Sequence, residues 1–133
     1  MLHGQCQCGA VRFDVPETAA FRTICHCQDC RRQSGAPLLA WAMFPRDAVT
    51  VWGEPKIYAS SATGRRSFCA TCGTGLLFSN GALEGMGMMQ VRIAALDNPD
   101  ALPPSAQVQT AERIGWIDAV RELPAFARFP TAE

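Results

Sequence analysis

A chain of 133 residues is the size of one ordinary domain, and 48% hydrophobic with 18% charged residues is the composition of neither a disordered tract nor a membrane protein. Twelve Lys and Arg balance twelve Asp and Glu, so the basic excess expected of a nucleic-acid binder is missing. Met1–Cys6 has no basic and apolar signal segment, and no run approaches about 18 consecutive apolar residues. A soluble cytoplasmic protein with no nucleic-acid or membrane partner is expected, in a compartment that keeps cysteines reduced.

In chain order, Val11, Phe13 and Val15 alternate with Arg12 and Asp14, the pattern of a half-buried strand that Pro16 ends. Gln28 to Ser34 is the one plausible helical turn, stopped by Gly35 and Pro37. Strand-like runs follow at Leu38–Phe44, Val49–Trp52, Lys56–Ser60, Arg66–Cys69, Leu76–Ser79 and Met88–Ala94. Pro45, Gly53, Pro55, Gly64, Gly73 and Gly81 punctuate them. From Asp97 to Glu133 the prolines at 99, 103, 104, 124 and 130 predict irregular coil wrapped over the sheet, anchored by Trp116 and Ile117. The expectation is a mainly β fold: one domain over residues 1–133, made of small antiparallel sheets with little helix.

Seven cysteines carry the chemistry. Buried thiols can act as small hydrophobes, but scattered ones would do so; here all seven fall into C-x-C (Cys6, Cys8), C-x-C-x-x-C (Cys25, Cys27, Cys30) and C-x-x-C (Cys69, Cys72). An odd number in a reducing compartment argues against a disulfide framework and for metal. A C-x-x-C at a tight turn aims two thiolates at one point. Residues i and i+2 of an extended strand share a face, so Cys6 and Cys8 can supply the other two. Cys6, Cys8, Cys69 and Cys72 then make a closed Cys₄ zinc site, structural because no position stays open.

Cys25, Cys27 and Cys30 remain. Three protein ligands and one exchangeable position characterise a catalytic zinc. His26 lies between Cys25 and Cys27 and points to the opposite face of an extended segment, so it supports or packs rather than ligates. His3 is close to a terminus and a weak candidate. Three thiolates leave Zn²⁺ with one net negative charge, a soft, weak Lewis acid suited to a thiol as fourth ligand. Arg31 and Arg32 follow the cluster and are candidates to offset its charge or hold a substrate carboxylate, or else simply surface arginines.

The motifs Gly4-x-Cys6-x-Cys8-Gly9-Ala10-Val11, Cys25-His26-Cys27-x-x-Cys30-Arg31 with Ser34-Gly35, and Phe68-Cys69-x-x-Cys72-Gly73-Thr74 together resemble the glutathione-dependent formaldehyde-activating enzyme family, which also includes centromere protein V. Leu96-Asp97-Asn98-Pro99 and Leu123-Pro124 extend the likeness over nearly the whole chain. The resemblance implies a structural zinc on Cys6, Cys8, Cys69 and Cys72 and a second zinc on Cys25, Cys27 and Cys30. It also implies glutathione thiolate adding to formaldehyde, a carbon–sulfur lyase step. Gln107-Val108-Gln109-Thr110 lacks the histidine and aromatic residue of many relatives, and Gly115 stands where a proline is common. Two other classes compete with a thiol–aldehyde enzyme: a zinc-stabilised binding module without turnover, and an iron or redox protein, since C-x-x-C pairs also hold iron.

Overall fold

The computed structural model describes residues 1–130. Ten strands form two sheets. The first has three antiparallel strands in the order β1-β2-β5: β1 Leu2–Gln5, β2 Arg12–Val15 and β5 Thr50–Trp52. The second has seven, in the order β10-β3-β4-β9-β8-β7-β6. These are β3 Phe21–Cys25, β4 Leu39–Pro45, β6 Lys56–Ala59, β7 Arg65–Phe68, β8 Gly75–Ser79, β9 Met88–Arg92 and β10 Ala106–Val108. Helix is confined to α1 Gln28–Ser34, α2 Gly81–Gly85 and short 3₁₀ segments, and no helix among the described residues is long and apolar enough to cross a membrane.

The strands form where apolar residues recur with period two. In β2, Phe13 and Val15 are 1% and 0% exposed while Arg12 faces water. They join Phe44, Leu76, Val91, Ile93, Leu96 and Leu102 in the main core. Helix α1 starts at Cys27, whose Sγ accepts the Cys30 N–H at 3.2 Å as a cap. It ends at Gly35, whose φ of 72° is the left-handed conformation that glycine adopts freely.

The sheet has a second, chemically distinct face. Residues opposite each other in register share a face, and Cys25 is paired with Leu39, Thr23 with Trp41, and Trp41 with Arg92. Gln90, two residues before Arg92, is opposite Phe78, and Phe78 is opposite Arg66. One face of β3, β4, β9, β8 and β7 therefore carries Cys25, Thr23, Trp41, Gln90, Arg92, Phe78 and Arg66. A smaller apolar cluster of Cys25, Cys30, Leu39 and Trp41 packs there.

Two expectations for the C-terminal stretch are corrected. It is not all coil: Ala106–Val108 adds to β3 as a parallel strand, so the sheets are not wholly antiparallel. Trp116 is 58% exposed and Ile117 only half-buried, so neither anchors the stretch; Leu102, 2% exposed, does. The 3₁₀ segment Gly115–Glu122 buries no residue. Strands β1 and β3 and helix α2, the last capped by Asn80 Oδ1 accepting the Leu83 N–H at 2.9 Å, lie outside the runs that alternation identifies.

Candidate metal centres

Each cysteine pair is presented by a turn. Cys6 and Cys8 follow β1, where Cys6 N donates to Val11 O at 3.0 Å and Gly9 N to Cys6 O at 3.1 Å. Cys69 and Cys72 sit between β7 and β8, where Gly73 N donates to Cys69 O at 2.9 Å with φ at 82°. A shift in register between Ser67 and Phe68 breaks the β7–β8 ladder just before Cys69, and such irregularities re-aim the chain near functional positions.

The four sulfurs lie within 4.8 Å of one another. Cys8 Sγ is 3.7 Å from both Cys6 Sγ and Cys69 Sγ. Sulfurs placed tetrahedrally at about 2.3 Å from a zinc are about 3.8 Å apart, so the spacing suits that ion. Backbone N–H groups are directed at the sulfurs: Val11 N is 3.2 Å from Cys6 Sγ, and Thr71 N and Cys72 N are 3.4 and 3.5 Å from Cys69 Sγ. Such donors favour the thiolate, the form that binds metal. Hydrogen bonds from the Thr74 hydroxyl and backbone bring the Cys72 thiol down to about 5, and Thr74 Oγ1 accepts the Gln7 N–H at 3.0 Å, tying the two cysteine turns together.

Cys25 comes from the end of β3, Cys27 from the α1 cap and Cys30 from the first turn of α1. Their sulfurs also lie within 4.8 Å of one another, with no fourth His, Cys, Asp or Glu in the group among the described residues. Burial pushes the Cys25 thiol up to about 12, with Cys30 and Cys27 adding to it. Burial also raises Cys27. At Cys25 and Cys27 the neutral thiol is thus favoured until a cation compensates it, and the donor set, with Cys30 N–H on Cys27 and a guanidinium on Cys30, fits a soft divalent metal.

The three sulfurs line a cavity of about 240 Å³, with Thr23, Trp41, Phe78 and Gln90 from the sheet face and Val108 and Gln109 from β10 and its end. Gln109 holds a left-handed φ of 56°, uncommon outside glycine. Arg66 also lines it. Sequence reasoning passed Arg66 over, since nothing local distinguishes it from its neighbour Arg65; yet its side chain is 4% exposed. Its Nη2 donates to Asp29 Oδ2 at 3.1 Å and lies 3.8 Å from Cys30 Sγ, and its Cζ is 4.8 Å from the centre of the Phe78 ring.

The other candidates lie elsewhere. Arg31 donates to the carbonyls of His26 and Glu112. Arg31 and Arg32 line an open depression with Pro37, Ile114 and Trp116, apart from the cysteine cavity. His26, 1% exposed, donates from Nε2 to Gln107 Oε1 at 2.8 Å, and Arg113 Nη2 donates to the same oxygen at 2.9 Å; it belongs to neither sulfur group. His3 pairs with Asp14 across β1 and β2.

A protein of Halomonas elongata provisionally named glutathione-dependent formaldehyde-activating enzyme is 33% identical over an 86-residue alignment that covers 57% of this chain and 54% of its own. An uncharacterized lyase of Schizosaccharomyces pombe is 32% identical over 76 residues, 57% of this chain and 56% of its own. The chain thus spans about half the length of these curated relatives. A crystal structure of a Rhodobacter sphaeroides protein superposes with a TM-score of 0.63 at 26% identity, covering 80% of this chain and 100% of that one. The model of the glutathione-dependent formaldehyde-activating enzyme family matches residues 1–112, a span that takes in both cysteine groups and the whole cavity, and the chain belongs to that family.

Proposed function

We propose that the chain is a zinc-dependent enzyme that adds a small thiol, glutathione or a similar one, to an aldehyde such as formaldehyde, a carbon–sulfur lyase-type reaction. The observation that carries this reading is a three-sulfur group with no fourth ligand residue among the described residues, at the wall of a cavity. Cys6, Cys8, Cys69 and Cys72 would hold one zinc for structure, and Cys25, Cys27 and Cys30 a second. Zinc bound at the second group supplies a soft cation that ionises a coordinating thiol near neutral pH.

In the reaction, a lone pair of the thiolate sulfur forms the S–C bond to the carbonyl carbon. The C=O π pair moves to oxygen, and that oxygen takes a proton from water, leaving a hydroxymethyl thioether. Trp41, Phe78 and Val108 give the cavity apolar walls that thin the water around the reacting sulfur. At about 240 Å³ the cavity is below the usual 300–1,000 Å³ of ligand pockets. It admits the thiol end and the aldehyde, while the rest of a tripeptide thiol lies outside. Arg31 and Arg32, which follow Cys30 directly in α1 and line a separate open depression, are the candidate cations for the carboxylates of that remainder.

The test is exchange NMR of ¹³C-labelled formaldehyde with glutathione. Zinc-loaded protein is expected to speed adduct formation above the spontaneous rate, and Cys30→Ser to abolish the gain. Glutathione that binds with no acceleration at any protein concentration would make the chain a binding module instead.

A further inference from the structure

Arg66 lies against the three-cysteine group and Arg92 on the same sheet face, with too little acid to balance them. Arg66 is 4% exposed and has one carboxylate partner, Asp29, which is itself 69% exposed. Its Nε and Nη1 are buried and have no hydrogen-bond partner. Arg92 lies on the same sheet face, its Cζ 5.4 Å from the centre of the Trp41 ring. It donates to the neutral Gln33, and its buried Nε also lacks a partner. No acidic side chain pairs with Arg92 among the described residues. Buried charge persists in proteins when it is paired, so the uncompensated positive charge points to an anion that the chain itself provides.

We propose that Arg66, seconded by Arg92, is the counter-charge of the three-cysteine centre: its N–H···S contact to Cys30 stabilises the negative charge that the cluster acquires on taking a metal. Arg66 is a positioning residue that acts through Cys30. The inference rests on the metal reading of that cluster but requires neither thiol nor aldehyde. Three cysteines that bind a divalent cation as thiolates leave the centre with one net negative charge. A neighbouring guanidinium therefore favours loading, although it repels the bare cation. With the metal in place, three thiolates and Asp29 carry as many negative charges as Arg66, Arg92 and the divalent ion carry positive ones. The site is then neutral, and a thiolate entering as fourth ligand leaves one net negative charge in the half-buried cavity, where without the two guanidiniums it would leave three.

Geometry explains why it is Arg66 and not the adjacent Arg65. Arg66 is opposite Phe78 on the cavity face, whereas period two turns Arg65 to the other side. Asp29, in the first turn of α1, and the Phe78 ring hold the guanidinium from two directions. A lysine lacks the planar guanidinium that lies over the Phe78 ring while its Nη2 meets both Asp29 and Cys30.

The test is cobalt(II) titration of metal-free full-length chain against a chromophoric chelator, reading the thiolate-to-metal bands, for wild type, Arg66→Met and Asp29→Asn. In Arg66→Met the tighter site is expected within about twofold of wild type. The weaker site should lose about 10- to 100-fold, the range that hydrogen bonds to charged groups carry. Asp29→Asn removes a competing negative charge from an exposed side chain while keeping an Oδ1 that accepts from Arg66, and is expected to tighten the weaker site by about twofold or more. That arm decides the matter should Arg66→Met not fold. An Arg66→Met weaker site within about threefold of wild type, or an Asp29→Asn site no tighter, overturns the counter-charge alone. A wild-type chain that never takes a second cobalt overturns the metal reading beneath it.

Discussion

Gly4 lies directly opposite Phe13 in the β1–β2 pair, so close that a methyl group on Gly4 would come within 2.2 Å of the ring's Cζ. Phe13 is 1% exposed and fixed by the core, so the ring cannot yield cheaply. Gly4→Ala is expected to destabilise the fold by about 1–3 kcal/mol, the usual cost of overpacking. Because β1 delivers Cys6 and Cys8, the variant should also release zinc from the Cys₄ group at a lower chelator concentration. Thermal melting and zinc content measure both effects; an unchanged melting temperature would show that β1 lifts away from Phe13 without cost.

Zinc-replete protein is expected to carry two zinc ions per chain by elemental analysis. A graded chelator titration should strip one well before the other, since three ligands with an open position hold metal less firmly than four. A single zinc under all conditions, or simultaneous loss of both, contradicts the division into closed and open groups.

The two groups should also fail differently on mutation. Cys72→Ser removes a ligand from the group that joins the β1–β2 turn to the β7–β8 turn, and structural zinc supplies on the order of 10 kcal/mol in small domains. Against a net stability of about 5–15 kcal/mol, the variant should unfold or aggregate. Cys30→Ser touches a group contained within β3 and α1, and should remain folded by circular dichroism while losing the second zinc. Equal unfolding of the two variants would mean that both groups are structural.

Leu102→Ala is expected to cost about 2–5 kcal/mol, as a fully buried leucine does when truncated. Trp116→Ala should stay within about 0.5 kcal/mol, its ring being mostly in water. Urea denaturation of both variants checks the reassigned anchor, and the reverse ranking would restore Trp116 to that role.

What the sequence revealed follows the range of the interactions involved. Cysteine spacing is local, so the division of seven sulfurs into four and three was legible, and the structure brings the same two groups together. Alternation along β2, β4 and β8 marked those strands to within a residue or two. Arg66 was not legible, because its burial depends on β7 lying inside the sheet and on Asp29, 37 positions earlier, closing over it. Strand β10 is three residues long and pairs with a partner more than eighty positions away, too short for any periodic signal. Trp116 misled because a large aromatic side chain reads as an anchor wherever it falls, while burial depends on a surface to receive it.

The Cys₄ group has a consequence for the order in which the molecule can be made. Cys8 and Cys69 are 61 positions apart, and the Cys6 arm leads from the three-stranded sheet while the Cys69 arm leads from the seven-stranded one. During synthesis the N-terminal hairpin emerges long before its sulfur partners exist, and must wait with two unclaimed thiols until the β7–β8 turn has left the ribosome. Closing so long a loop is a late, entropically costly event, and oxidation of Cys6 with Cys8 in that interval would lock the first strand out of its sheet. Cys6 and Cys8 have therefore to stay reduced until the β7–β8 turn arrives if the four sulfurs are to meet.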